Sequence, residues 1–247
     1  MSDATLKSVK VSGSGSVAGG EYDLVKGSGS IRIDGDVTAE SIEMSGSLKS
    51  QGMVRSGSFR VSGSAAVDGD VDLSDGRASG SLKIGGNLRV DREAHISGSL
   101  TVGGTIAGES LRGSGSVRAG QEIALERLTW SGIVSCPGLV SADAFDLQLG
   151  GHAEIGELAG STIQVRSTAE TLGWLAWLQW SIQKRLTVGE ISGDHILLES
   201  TEASVVRGDD IVIGKKCRVE RVEYRDSLQV DAESWVGSRI CVADGHE

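Results

Sequence analysis

Glycine returns every 17 residues along this chain, in two ladders held six residues apart. The first is Gly29, Gly46, Gly63, Gly80, Gly98, Gly115 and Gly132, with a single 18-residue step after Gly80; the second is Gly35, Gly52, Gly69, Gly86, Gly103 and Gly120. A period held over more than a hundred residues means that one structural unit has been stacked many times.

Other residues keep the same beat. Ser30, Ser47, Ser64, Ser81, Ser99 and Ser116 follow the glycines of the first ladder, giving a recurrent Ser-Gly-Ser. Ile31, Leu48, Ala65, Leu82, Leu100 and Val117 form one apolar column, and Val37, Val54, Val71, Leu88, Ile106 and Ile123 a second. Ile42, Phe59, Ala94, Leu111 and Leu128 form a third, which lacks a member at Gly76. Three apolar columns per period imply three inward-facing walls. Between them, runs such as Ile31-Arg-Ile-Asp34 alternate apolar and polar residues, the two-residue period of a strand with one buried face. Three short strands and about 17 residues make one triangular coil, so the sequence predicts an all-β fold, a parallel β-helix or β-solenoid. Helical solenoids use longer repeats, and leucine-rich repeats carry a leucine and asparagine pattern absent here.

Glycine suits two of the corners, where a sharp turn calls for positive φ or close backbone approach. The third corner reads as polar: Ser41, Ser58, Asp75, Arg92, Glu109 and Glu126. Coils stacked at about 4.8 Å leave a narrow core suited to small aliphatic residues. The composition agrees, with 36 glycines, two phenylalanines and one proline, Pro137, a residue that stacked strands tolerate poorly.

A net charge of −10 argues against a duplex nucleic-acid binder, which needs a basic face, and nucleic acid is not expected as a partner. Cys136, Cys217 and Cys241 form neither an even disulfide set nor a Cys-x-x-Cys pair, so they read as reduced thiols of a cytoplasmic protein. Residues 1–12 lack the pattern of a secretory signal. No segment approaches the roughly 20 apolar residues that span a bilayer.

The beat stops between Ala169 and Leu186. Three of the five tryptophans, Trp174, Trp177 and Trp180, fall here, and as a helix Leu175, Leu178, Ile182 and Leu186 would form an apolar stripe. A helix or loop packed on the solenoid, an interfacial membrane anchor and a partner surface all fit. Leu172, Trp174, Leu175, Trp177, Leu178, Trp180, Ile182, Lys184 and Arg185 are therefore the candidate membrane or partner contacts, the two cations facing anionic lipid. After the break the period is read as resuming unchanged, with Val188, Val205 and Val222 in one column, Ile196, Ile213 and Val230 in another, and Ile211 followed by Leu228. The expected organisation is an N-terminal cap and irregular coil (1–25), a main solenoid (26–168), the Trp-rich insertion (169–187), C-terminal coils (188–242) and a disordered tail (243–247).

Signs of chemistry are weak. His95, His152, His195 and His246 share no phase. The segment Ile211-Val-Ile-Gly-Lys-Lys-Cys217-Arg-Val219 is similar to a unit of the hexapeptide-repeat acyltransferases, but those keep a six-residue beat and add a general-base histidine, for which only His152 and His195 stand as candidates. Asp34, Asp36, Asp68, Asp70 and Asp72 suggest a carboxylate constellation, yet Met53 stands between Asp36 and Asp70 in the beat. Residues 13–20 are rich in glycine without the Gly-Lys-Ser of a phosphate loop. No catalytic, cofactor or metal residue is assigned, and the chain is not expected to be an enzyme.

The turns Ile33-Asp-Gly-Asp-Val37 with Ala39-Glu-Ser-Ile42, Val67-Asp-Gly-Asp-Val71 and Leu82-Lys-Ile-Gly-Gly-Asn-Leu88 resemble those of the bactofilins, the bacterial polymer-forming cytoskeletal proteins. Ile191-Ser-Gly-Asp-His-Ile196 through Val205-Val-Arg-Gly208, Ile213-Gly214 and Val222-Glu-Tyr224 look like a longer branch of that family from spore-forming bacteria. The resemblance implies a right-handed solenoid assembling end to end into nucleotide-independent filaments, often at the inner face of the membrane. It further implies a scaffold role, with a second copy of the chain and envelope or motility proteins as partners. A β-solenoid adhesin or binding module is the other structural class that fits the fold.

Overall fold

A computed structural model describes residues 7–167 and 184–242, and among these every regular element is a β-strand. The chain divides into two compact units, Met1–Gln121 and Glu122–Glu247. Both are built of parallel strands stacked coil on coil, the β-solenoid that the glycine period predicts.

The first unit contains β1 (Lys7–Ser50), β2 (Val54–Val67), β3 (Val71–Ile84), β4 (Leu88–Val102) and β5 (Ile106–Ala119), each hydrogen-bonded to the next. Register follows the sequence columns: Leu48 stands on Ala65, then Leu82, Leu100 and Val117, while Val37 leads to Val54, Val71, Leu88 and Ile106. Each wall also carries a second inward column that the sequence reading left out. Ser50, Val67, Ile84 and Val102 form one, and Met44, Val61, Ala78 and Ile96 another. All of these residues are buried, so a coil contributes two side chains per wall rather than one. The buried hydroxyls of Ser50 and Ser56 donate to the carbonyls of Gly52 and Ser58, so neither is left unpaired in the core.

The two glycine ladders do different work. Gly63 has φ +124°, and a Cβ placed on it would lie 2.2 Å from the carbonyl oxygen of Gly46 one coil below. Gly80 repeats this at +119° and 2.1 Å against Gly63. The strand thus rounds this corner without ending, because glycine permits both the dihedral and the contact. In the second ladder only Gly35 has positive φ; at Gly69 and Gly120 it is backbone approach from the coil below, at 2.9 and 2.1 Å, that excludes a Cβ.

Two register expectations are corrected. The extra residue of the 18-residue coil lies at Asp91 and Arg92: Leu73 pairs with Val90, but Asp75 pairs with Glu93. The third corner therefore continues through Glu93 and Ser110, not Arg92 and Glu109, and the second ladder passes from Gly86 to Gly104, whose N–H donates to the Gly86 carbonyl at 3.0 Å. A bulge absorbs one residue in an outer corner while the walls stay in register.

The second unit contains β6 (Ile123–Leu149), β7 (His152–Ala159), β8 (Thr162–Ser167), β9 (Arg185–Leu198), β10 (Thr201–Ile213), β11 (Arg218–Val230) and β12 (Trp235–Cys241). Here the expected unchanged period fails. Val188 stands on Ala203 and Val219, Ile191 on Val206 and Val222, and Ile196 on Ile211 and Leu228. Val205 instead pairs with Glu190 and Arg221, and Ile213 belongs with Leu198 and Val230. The coil from β9 to β10 is two residues shorter than the earlier ones, turning at Ser200 with φ 49°. Valine at both 205 and 206, and isoleucine at both 211 and 213, let a 17-residue reading find apolar partners in the wrong register.

β7 and β8 both pair with β9, so the strands on either side of residues 168–183 stack directly on each other. Pro137 is exposed within β6, beside the irregularity between Cys136 and Leu139, where no ladder bond is lost from a wall.

The corner geometry sets a stability test. Gly63→Ala combines a positive φ with a backbone collision, whereas Gly76→Ala meets only the Leu73 side chain at 3.2 Å and the Ala94 methyl at 3.4 Å. Urea unfolding followed by circular dichroism should show Gly63→Ala destabilised by more than about 2 kcal/mol and Gly76→Ala by less than about 1 kcal/mol. Equal midpoints for the two would contradict the stacked-corner contact.

Candidate functional site

Several residues that the sequence singles out for chemistry make hydrogen bonds or ion pairs between the coils of the solenoid. Asp36 accepts the backbone N–H of Met53 at 2.8 Å, Asp70 that of Asn87 at 2.7 Å, and the Asn87 side-chain oxygen that of Thr105 at 3.0 Å. One short polar side chain per corner thus satisfies an N–H on the coil above, the use to which Asp and Asn are suited in turns. Asp72 is held by Arg55 at 3.0 Å across the same spacing.

His195 lies on an exposed wall with Nδ1 3.2 Å from Asp210, and the Ser227 hydroxyl donates to the other oxygen of Asp210 at 2.6 Å. The three sit on adjacent rungs, but the carboxylate stands in the middle. The serine therefore gives its proton to an acid rather than facing the imidazole, the reverse of the order that activates a hydroxyl nucleophile. In Ile211–Val219, the inward residues Ile211, Ile213, Cys217 and Val219 are buried, Lys216 takes φ 59° at the turn, and the Cys217 N–H donates to the Ser234 hydroxyl at 2.8 Å. This segment is a corner of an ordinary coil.

Burial pushes the Cys217 thiol up to about 11, and burial likewise raises Cys136. Cys241 is exposed. A maleimide or iodoacetamide pulse on folded protein should label Cys241 alone, with Cys136 and Cys217 reacting only in denaturant. Rapid labelling of Cys217 in the folded protein, read by mass spectrometry, would contradict its place in the core.

Leu172, Trp174, Leu175, Trp177, Leu178, Trp180 and Ile182 lie outside the described residues. Of the two cations grouped with them, Lys184 is half-buried, and Arg185 opens β9 with its guanidinium 2.8 Å from Glu202 of the next coil. Arg185 is thus paired within the solenoid.

The last described coil carries a feature that no sequence motif marks. Among the described residues β12 pairs only with β11. The inward columns run out at Leu228 and Val230, which are only half-buried where their counterparts Ile211 and Ile213 are sealed. The exposed large apolar side chains of the described residues all cluster here: Trp235, Ile240 and Val242, at 47%, 43% and 49% exposure. Arg218 stacks on the Trp235 ring at 4.5 Å. Arg239 stands opposite Val222 and interrupts the apolar column. Among the described residues, then, β12 has no strand paired on its far side, only half-buried core residues beneath it and one cation of its own, Arg239.

These features define a β-solenoid repeat protein, a fold consistent with a scaffold. Two proteins of Bacillus subtilis (strain 168) are similar to it in sequence. Uncharacterized protein YhbF is 33% identical over 85 residues, 34% of this chain and 33% of YhbF. Uncharacterized protein YhbE is 34% identical over 100 residues, 40% of this chain and 41% of YhbE. The chain thus spans less than half the length of these curated relatives. No protein-family model matches, and no solved structure matches.

Proposed function

We propose that this chain is a bactofilin-like structural protein, not an enzyme, whose copies join end to end through their terminal coils into filaments that need no nucleotide. Its place in this reading is the cytoplasm, at the inner face of the membrane, as a scaffold on which envelope, shape or motility proteins are organised. The last described coil is the observation that carries the reading. Among the described residues β9, β10 and β11 each pair with the strand that follows, whereas β12 pairs only with β11 and carries the exposed Trp235 and Ile240. A second copy supplies backbone hydrogen bonds and apolar burial, with an acceptor needed opposite Arg239.

Electron microscopy of the purified chain at physiological salt should show filaments with and without added nucleotide. Trp235→Asp combined with Ile240→Asp, both at exposed positions, should leave the circular dichroism spectrum unchanged and abolish the filaments. Discrete particles over a wide concentration range for the unaltered chain would overturn the proposal.

The membrane part of the reading rests on the tryptophans between Ser167 and Lys184. Flotation with anionic liposomes should separate the unaltered chain from a Trp174→Ser, Trp177→Ser, Trp180→Ser variant, only the former rising with the vesicles. Equal flotation of the two would remove the membrane contact and leave polymerisation standing.

A further inference from the structure

In the first unit, cations and acids are nearly balanced in number but unevenly placed. The Ser-Gly-Ser corner forms a ridge of stacked serines: Ser45, Ser62, Ser79, Ser97 and Ser114 on one side of the glycine, Ser47, Ser64, Ser81, Ser99 and Ser116 on the other. Along the wall before the ridge runs the outward column Glu43, Arg60, Arg77, His95 and Arg112, with Lys26 ion-paired to Glu43 at 2.7 Å. Along the wall after it runs Lys49, Ala66, Lys83, Thr101 and Arg118. Cations thus border the hydroxyl ridge on both sides, with Glu43 the one acid in either column.

The pairing of these cations sets them apart from others in the unit. Arg55, Arg89 and Arg92 each meet an aspartate. Among the described residues Arg77, Lys49, Lys83 and Arg118 make no ion pair, and all are exposed. Arg60 reaches Glu43 only at 3.9 Å, and Arg112 pairs with Glu93. Arg60 and Arg77 are direct cross-strand neighbours, an arrangement of like charges that costs stability unless an anion lies against it. The wall bearing them is hollowed into a groove of about 780 Å³, bordered by Lys26, Glu43, Arg60, Arg77 and His95 on one side and by the serines on the other.

From this juxtaposition we infer that the ridge and its flanking cations bind a linear phosphate polymer that carries no bases, lying along the stacking direction of the coils. Three features choose this ligand. Donors recur at every rung, about 4.8 Å apart, so the partner is extended and repeats its charge. Guanidinium forks beside hydroxyl donors suit the several acceptor oxygens of a phosphate, which takes bonds from both. The lining residues of the groove include no phenylalanine, tyrosine or tryptophan, and His95 is the single ring among them, too few for the successive bases of a nucleic acid to stack on. The inference does not depend on polymerisation, since the ridge belongs to the walls and not to the ends.

The test uses the full chain and long-chain inorganic polyphosphate as probe, with single-stranded oligothymidylate and polyglutamate as comparison ligands, followed by calorimetry. Polyphosphate should bind most tightly, with affinity falling steeply as salt rises. Arg77→Ser with Lys83→Ser should weaken it roughly tenfold, whereas Arg55→Ser with Arg89→Ser, which removes the same charge from the third wall, should change it less than about twofold. Both pairs lie on the outside of the coils, and unchanged thermal unfolding verifies that the fold survives. Equal losses for the two variants would show bulk attraction only and overturn the site. Oligothymidylate or polyglutamate binding as tightly as polyphosphate would overturn the ligand class, and absence of binding at physiological salt would overturn the proposal. Salt-reversible side-by-side association of the chain in the absence of polyphosphate, lost in Arg77→Ser with Lys83→Ser, would overturn it too by assigning the ridge to a second copy.

Discussion

The backbone-to-backbone approach at the glycine corners is the constraint on which the rest depends. At Gly46, Gly63, Gly80 and Gly98 the carbonyl of the coil below occupies the space where a side chain would begin. Only this closeness lets the strand bend through the corner with its hydrogen bonds to the next coil unbroken. Once that corner is fixed, the walls between corners have a set length, the side chains alternate in and out, and two inward residues per wall close the core. The polar residues then take up the remaining corner donors, as Asp36 and Asp70 do for Met53 and Asn87.

The stack was legible in the sequence because a collision between backbones forbids every residue but one, and glycine leaves a visible mark at each repeat. Apolar columns are less informative. Leucine, valine and isoleucine substitute for one another in a core of this width, so a column tolerates misassignment wherever two apolar residues are neighbours on the chain or on the same face. Val205 beside Val206, and Ile211 two residues from Ile213, hid the shorter coil of β9 and β10. In that unit Ser200 and Lys216 take the left-handed turns, so the glycine mark was missing where it was most needed. The bulge at Asp91 and Arg92 was visible as an 18-residue step but not its place within the coil, since either side of the corner can absorb one residue.

The candidate sites were legible to a different degree. Two of the carboxylates that looked like a ligand constellation, Asp36 and Asp70, cap corners, because the same short side chain that binds a cation also accepts an N–H. The exposed apolar residues of the last described coil left no trace in composition: Trp235, Ile240 and Val242 are ordinary members of an apolar count until their neighbours are known. The cation columns were likewise invisible to a search along the chain, since Arg60, Arg77 and Arg112 come together only through register.

A solenoid that adds copies as it adds coils has one strand spacing running through the polymer. X-ray diffraction from oriented filaments of the full chain tests this most directly. Continued stacking predicts a reflection near 4.8 Å along the filament axis, the separation of paired strands. The same reflection lying perpendicular to the axis would mean that the coils associate side by side, and would contradict assembly through the open end of β12.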